Sequence, residues 1–172
     1  MSTSHAIPQV LIDFAWYQDG SGLIGRCPKV KLPELTKVVE EYIAGGMAAP
    51  IDIDMGMVEK MEITPSLAEP NVETIKLFGL SNGNEKPFTF RGALRGKGDA
   101  VPMVIRTTGR VIGLNIDEIE RKKLASTECK ITVATLKVEI NGEVLIDIDA
   151  EGGKFVVGGV DQRASINAAL GV

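Results

Sequence analysis

The chain has 172 residues, 44% of them apolar and 24% charged, a size and composition that suit one globular domain and exclude disorder and fibrous repeats. Nineteen basic and 23 acidic side chains leave a net charge of −4, with no basic surplus to grip nucleic acid by its phosphates. No apolar run approaches the roughly 18 residues of a membrane span, and Met1 to Pro8 lacks the basic start and apolar core of a signal peptide, so a soluble, unexported chain with no membrane span is expected.

Val10 to Tyr17 reads as an apolar, aromatic strand that stops at a Gly-rich turn, Gln18 to Gly22. Leu23 to Leu32 resumes as an edge or broken strand, interrupted by Pro28. Glu34 to Ile43 places Leu35, Val38, Val39, Tyr42 and Ile43 at helical spacing behind Pro33, so taken alone it is a helix. Between Pro50 and Pro65 the period becomes two. Ile51, Ile53, Met55, Met57, Met61 and Ile63 hold the odd positions, while Asp52, Asp54, Lys60, Glu62 and Thr64 hold the even ones. One buried face and one wet face follow, with a bend expected at Gly56.

Pro70 to Leu80 is the best helix, stopped by Gly79. Phe88 to Arg95 and Val101 to Leu114 are strands joined by the turn 96–99, and the charged stretch Asp117 to Ala125 fits one or two helical turns. Ser126 to Ile148 carries a hairpin signal with Asn141-Gly142 at its tip. A strict two-residue turn there sets Leu136 opposite Asp147. One extra loop residue instead pairs Ile140 with Val144, Val138 with Ile146, Leu136 with Ile148 and Lys137 with Asp147, so a bulge or three-residue loop is expected at the tip. Ile131 and Val133 have the opposite parity to Leu136 and Val138. That predicts a strand covered on both sides for part of its length, the second cover coming from a neighbouring subunit.

Candidate chemistry is sparse. The only histidine, His5, lies in the N-terminal stretch 1–8, read as a flexible tail and a poor place for a general base. Cys27 and Cys129 read as buried or half-buried thiols. Gly92 to Gly98 misses the phosphate-loop spacing and lacks the hydroxyl after its Lys. Asp52 with Asp54, and Asp147 with Asp149, each put two carboxylates on one strand face, which suits a hard cation but equally a solvated face. Arg121, Lys122 and Lys123 read as a solvated turn. Arg91, Arg95 and Lys97 make a basic patch without interleaved aromatics. No catalytic set, cofactor site or metal site is expected. The segment Ala44 to Pro50 is small and apolar, which suits a loop pressed against another surface.

The ordered run Leu32-Pro33-Glu34-Leu35-Thr36, then Glu41 through Gly56, is similar to the major tail tube proteins of contractile-tailed phages and R-type pyocins. Phe78-Gly79-Leu80, Phe90-Arg91-Gly92, Asn141-Gly142-Glu143, Ile148-Asp149, Gly159-Val160-Asp161-Gln162 and Leu170-Gly171 extend the resemblance in the same order. It implies a mainly β fold over 1–172: a β-sandwich or barrel-like domain with one flanking α-helix, whose inner sheet joins a hexameric β-barrel. It also implies a structural, non-enzymatic role. Hexameric rings would stack into a hollow tube inside a contractile sheath, with tail-terminator and baseplate proteins at the ends and DNA passing through without sequence-specific binding.

The resemblance places the protein in a virion or bacteriocin particle, assembled in the bacterial cytoplasm. It turns Glu34 to Ile43 into an extended segment reaching a neighbour, with Tyr42, Gly45, Gly46 and Met47 as subunit contacts. Asp52, Asp54, Lys60, Glu62 and Thr64 become candidates to line the lumen, where an acidic wall repels DNA phosphates. The chain departs from this pattern at Asp117 to Lys123. The alternatives are a type VI secretion tube-like protein, or a small β-rich ligand-binding or enzymatic domain using the paired carboxylates.

Overall fold

A computed structural model describes residues 7–172; His5 and most of the expected tail lie outside the described residues. The chain runs β1 (Val10–Gln18), β2 (Ser21–Gly22), β3 (Lys29–Lys31), β4 (Lys37–Tyr42), β5 (Ile51–Val58), β6 (Glu62–Leu67) and helix α1 (Val72–Leu77). It continues with β7 (Lys86–Arg95), β8 (Val101–Ile116), β9 (Thr127–Ile140), β10 (Glu143–Asp149), β11 (Lys154–Val157), β12 (Val160–Asp161) and helix α2 (Ala164–Leu170). Ten strands form one antiparallel sheet in the order β12-β11-β10-β9-β8-β7-β1-β2, with β6 branching from β9 and β3 from β6. β4 and β5 stand apart as a two-stranded sheet. The fold is mainly β, as the alternating patterns require.

The large sheet turns one face inward. Trp16 stacks on Phe88 at 5.9 Å, and Phe14 on Phe90 at 5.3 Å. Ile63, Leu67, Ile105, Ile131, Leu136 and Ile148 complete the same cluster from β6, β8, β9 and β10. Each such side chain contributes about 1.5–3 kcal/mol by leaving water. Helix α1 covers one end of this core through Leu77, and Asn71 caps it by accepting the Thr74 N–H at 3.1 Å. The buried Gln18 amide donates to the Thr74 hydroxyl at 2.5 Å, which ties α1 to β1.

Four expectations are corrected. The stretch 117–125 forms no helical turn; it is a loop with a tight turn in which Lys122 takes φ +67°. Among the described residues there are two short helices where one was expected, and α2 has no buried residue, so no buried stripe announces it.

The parity switch in β9 is not a doubly covered strand. Thr135 pairs with Thr108 and Val133 with Gly109, so Ala134 is an extra, bulged residue. The bulge lets Val133 and Leu136 reach the same core despite their odd spacing. The hairpin tip is a strict two-residue turn, with Asn141 and Gly142 at φ +53° and +80°. Ile140 therefore pairs with Glu143 and not with Val144. The extra residue is Leu145, inside β10, and beyond it Val138 meets Ile146, Lys137 meets Asp147 and Leu136 meets Ile148 as expected. Both corrections have one cause: a bulge restores facing at any point along a strand, so pairing demand alone does not locate it.

Candidate assembly surface

Residues 34–58 form an arm outside the main sheet. The helical spacing of Glu34 to Ile43 is overridden: Lys37 to Tyr42 is a strand paired with β5. Tyr42 lies opposite Ile51 and Glu40 opposite Ile53, so these share a face with Met55. The other face pairs Glu41 with Asp52 and Val39 with Asp54. The arm is thus split into an apolar row and an acidic row.

Neither row is covered by the subunit. Ile51, Ile53 and Met55 are 53%, 44% and 45% exposed, and Tyr42 is 49% exposed. The period-two reading of Ile51 to Ile63 therefore holds as alternation but fails as burial until Met61 and Ile63, which enter the core at 3% and 1%. The alternation places an apolar face correctly, but the subunit does not supply the core cover expected for it.

The tip, residues 43–50, is a tight turn closed by Met47. Its N–H donates to the Ala44 carbonyl, and its Sδ accepts the Ala44 N–H, both at 3.2 Å. Tyr42, Gly45 and Gly46 are exposed and Met47 is half-buried. At the base of the arm β5 bulges, because Lys37 pairs with Val58 while Val39 pairs with Asp54. Gly56 sits in that bulge at φ +68°, which confirms the expected bend. A Cβ there would lie 2.6 Å from Ile166 Cδ1, and the Arg163 guanidinium donates to the Gly56 carbonyl at 3.2 Å. Helix α2 so holds the arm's root, a contact the sequence reading missed because nothing local marks Arg163 or Ile166.

The five lumen candidates fall on two sheets. Asp52 and Asp54 lie on the acidic row of the arm, whereas Glu62 and Thr64 are half-buried on β6 in the main sheet, and Lys60 is an exposed residue in the connection between them. Lys37 donates to Asp54 at 2.5 Å and holds its carboxyl below the usual carboxylate range, helped by the Gly56 N–H. Glu62 is lowered in the same way, by Lys60 first and then Lys130. Glu41 and Asp52, two like charges directly opposite, have no ion pair among the described residues. Asp147 pairs with Lys154 and Asp149 caps the turn to Gly152, so neither aspartate motif gathers a cation site.

Apolar exposure recurs on β1, where Val10 and Ile12 are uncovered, and on the loop 117–126 at Ile119 and Leu124. Burial pushes the Cys129 thiol up to about 12, and Cys27 is also raised by burial. Among the described residues no helix is long and apolar enough to cross a membrane, and no three His, Cys, Asp or Glu side chains gather as metal ligands.

Among the described residues, an open sheet edge and an uncovered two-stranded arm stand out, and comparison with known proteins gives the chain a family. The family model for phage tail tube protein FII matches residues 8–171. The tail tube protein of Escherichia phage P2 is 26% identical over 171 residues, covering 97% of this chain and 99% of that one. The major tail tube protein of Serratia phage KSP20 is 42% identical over 52 residues, 30% of each chain. In fold, the chain is similar to a sheath-tube complex subunit of the PVC extracellular contractile injection system, with TM-score 0.58 at 13% identity, covering 80% of this chain and 93% of that one. The tube-terminating cap of the anti-feeding prophage gives TM-score 0.56, also at 13% identity, covering 81% and 94%. The chain belongs to the phage tail tube protein FII family and is a tail tube subunit.

Proposed function

We propose that copies of this chain close into hexameric rings that stack as the inner tube of a contractile phage tail or phage-tail-like particle. The observation that carries this is the arm. A two-stranded hairpin is marginal alone in water, and this one leaves its whole apolar row exposed, so a second copy completes it. Tyr42, Gly45, Gly46 and Met47 are the contacts at its tip. Contractile sheath, tail-terminator and baseplate proteins are the further partners, and the role is structural, without catalysis. Purified protein imaged in negative stain is expected to show rings or rods; a dispersed monomer at high concentration sinks the reading.

With the apolar row docked, the acidic row stays wet. We place Asp52 and Asp54 on the channel wall, where carboxylates repel DNA phosphates; Lys60, Glu62 and Thr64 extend the wall only if the main sheet shares it. Asp52 is the cleaner probe, because Asp54 holds Lys37. Asp52→Lys tubes should assemble, since an exposed charge contributes about 1 kcal/mol or less. They should release DNA poorly at low salt and recover at high salt, because phosphate binding is screened. Normal release at low salt would put Asp52 on another surface.

A further inference from the structure

The apolar row of the arm contains one carboxylate. Glu40 lies directly opposite Ile53, beside Tyr42 and Ile51, is exposed, and forms no ion pair among the described residues. Covering the row dries Glu40, and a dried carboxylate without a cation is strongly unfavourable. The receiving surface must therefore be apolar and cationic at once. Charge distribution points to the same chain for it. Five of the 23 acidic side chains but one of the 19 basic ones fall between Glu34 and Val58, so this segment carries −4 and the rest of the chain is balanced.

Among the described residues, two patches are the strongest combinations of exposed apolar groups with several cations free of ion pairs. The first is the corner where β1 begins and β7 ends. Val10 pairs directly with Arg95, so the two share a face, and Ile12 is the bulged residue just beyond. Val10 and Ile12 are exposed, and Arg91, Arg95 and Lys97 are exposed without ion pairs among the described residues. They outnumber Asp13 and Asp99, and Asp13 Oδ1 already accepts the Phe14 N–H at 2.8 Å. Along Val10 to Ala15 no strand of the described residues pairs on the side away from β7. The second patch is the loop 117–126, with Ile119, Leu124, Arg121 and Lys122 exposed. Glu118 and Glu120 offset its cations, and a loop outside helix or strand loses more entropy when it is fixed in a contact. The corner is already held by strand pairing.

We infer that the arm of one copy docks its apolar row on Val10 and Ile12 of a second copy, and that Arg95 there receives Glu40. The inference rests on the self-assembly proposed above and names the surface it uses. Arm and corner are different patches, so the contact is heterologous and propagates into a ring or a stack, as a tube needs.

The experiment is a charge exchange read by rod formation in the electron microscope and by light scattering, with melting curves to confirm that each variant folds. Glu40→Arg and Arg95→Glu are each expected to raise the concentration needed for assembly at least roughly tenfold, since like charges now meet in a drying contact. The two variants mixed, which restores opposite charges between copies, should assemble better than either alone. Mixing Ile12→Cys protein with Ile53→Cys protein, both in a Cys27→Ser background, should give a disulfide-linked dimer. If Arg95→Glu assembles like the parent while Arg121→Glu is impaired and rescued by Glu40→Arg, the loop is the receiving surface and the corner assignment falls. If Ile53→Ser itself leaves assembly unchanged, the arm is no contact at all and the underlying reading falls with it.

Discussion

Strands β9 and β5 are written in the same apolar alternation, and they end in opposite environments. Ile131 and Leu136 of β9 are each 1% exposed, while Ile51 and Ile53 of β5 stay about half in water. β9 has β8 along its length, with β6 and then β10 on its other edge, and the core cluster against its face. β5 has β4 alone. Alternation therefore reports that one face needs a dry neighbour and is silent on which molecule supplies it. On the self-assembly proposed above, part of the pattern is addressed to the neighbouring copy.

The sharpest way to break this comparison is to damage the two strands equally and read stability and assembly separately. Leu136→Ala opens a cavity in a closed core and should cost about 2–5 kcal/mol of subunit stability. That lowers the melting temperature by several degrees and removes assembly with it. Ile53→Ser should change subunit stability by no more than about 0.5 kcal/mol, as a surface substitution, yet abolish rods. Thermal melts with light scattering on both variants check this. An arm variant that melts early would mean that the row supports its own subunit and that the two strands do not differ in kind.

A smaller effect separates backbone need from contact at the tip. Gly46 has φ +86°, a conformation strained for any side chain, although a Cβ there would meet nothing within 4 Å. Gly45 has equally open space and no positive φ. Gly46→Ala should therefore destabilise the turn by about 1 kcal/mol in the isolated subunit. Gly45→Ala should leave the subunit unchanged and weaken assembly only, where a neighbour packs on the tip. Equal, normal assembly by Gly45→Ala would show that the tip faces solvent in the tube.

Much of the body was legible in the sequence. Paired parities fixed the β9–β10 partners from Val138 onward, and the 72–77 helix was marked by its apolar spacing and following Gly79. The bulges at Ala134 and Leu145 were not legible, because either one repairs facing without a composition of its own. The helical spacing of Leu35 to Ile43 fails for a related reason, and the extended segment that the resemblance implied is what forms. Once Lys37 to Tyr42 pairs with β5, hydrogen bonding decides the backbone and the spacing merely puts apolar groups on both faces. Of the assembly surface, the Gly-rich tip and the arm's acidic row were visible; Val10, Ile12 and the clasp of Arg163 and Ile166 on Gly56 were not. Val10 and Ile12 stand out only through their exposure, and Arg163 and Ile166 only through a distant contact, and neither leaves a local pattern.

Titration gives the finest contrast between arm and body. Asp54 on the arm is lowered from 3.8, chiefly by the Lys37 hydrogen bond and then by the Gly56 N–H. A group with a depressed folded value stabilises fully above its unfolded value and loses that contribution as pH falls through the folded one. The arm's pairing should thus loosen only below pH 3.8, and weakly, because the carboxylate is exposed. Cys129 in the body moves the other way, from 9.0 up to about 12, because burial disfavours the thiolate. A raised group stabilises fully below its unfolded value, so the body should lose stability between pH 9.0 and about 12. NMR titration of Asp54 and alkaline melts of the parent against Cys129→Ala measure the two separately. If the alkaline loss persists unchanged in Cys129→Ala, another group carries it. If Asp54 titrates at or above 3.8, the Lys37 contact does not hold in solution, and the arm's acidic row is free of any internal cation before it meets its neighbour.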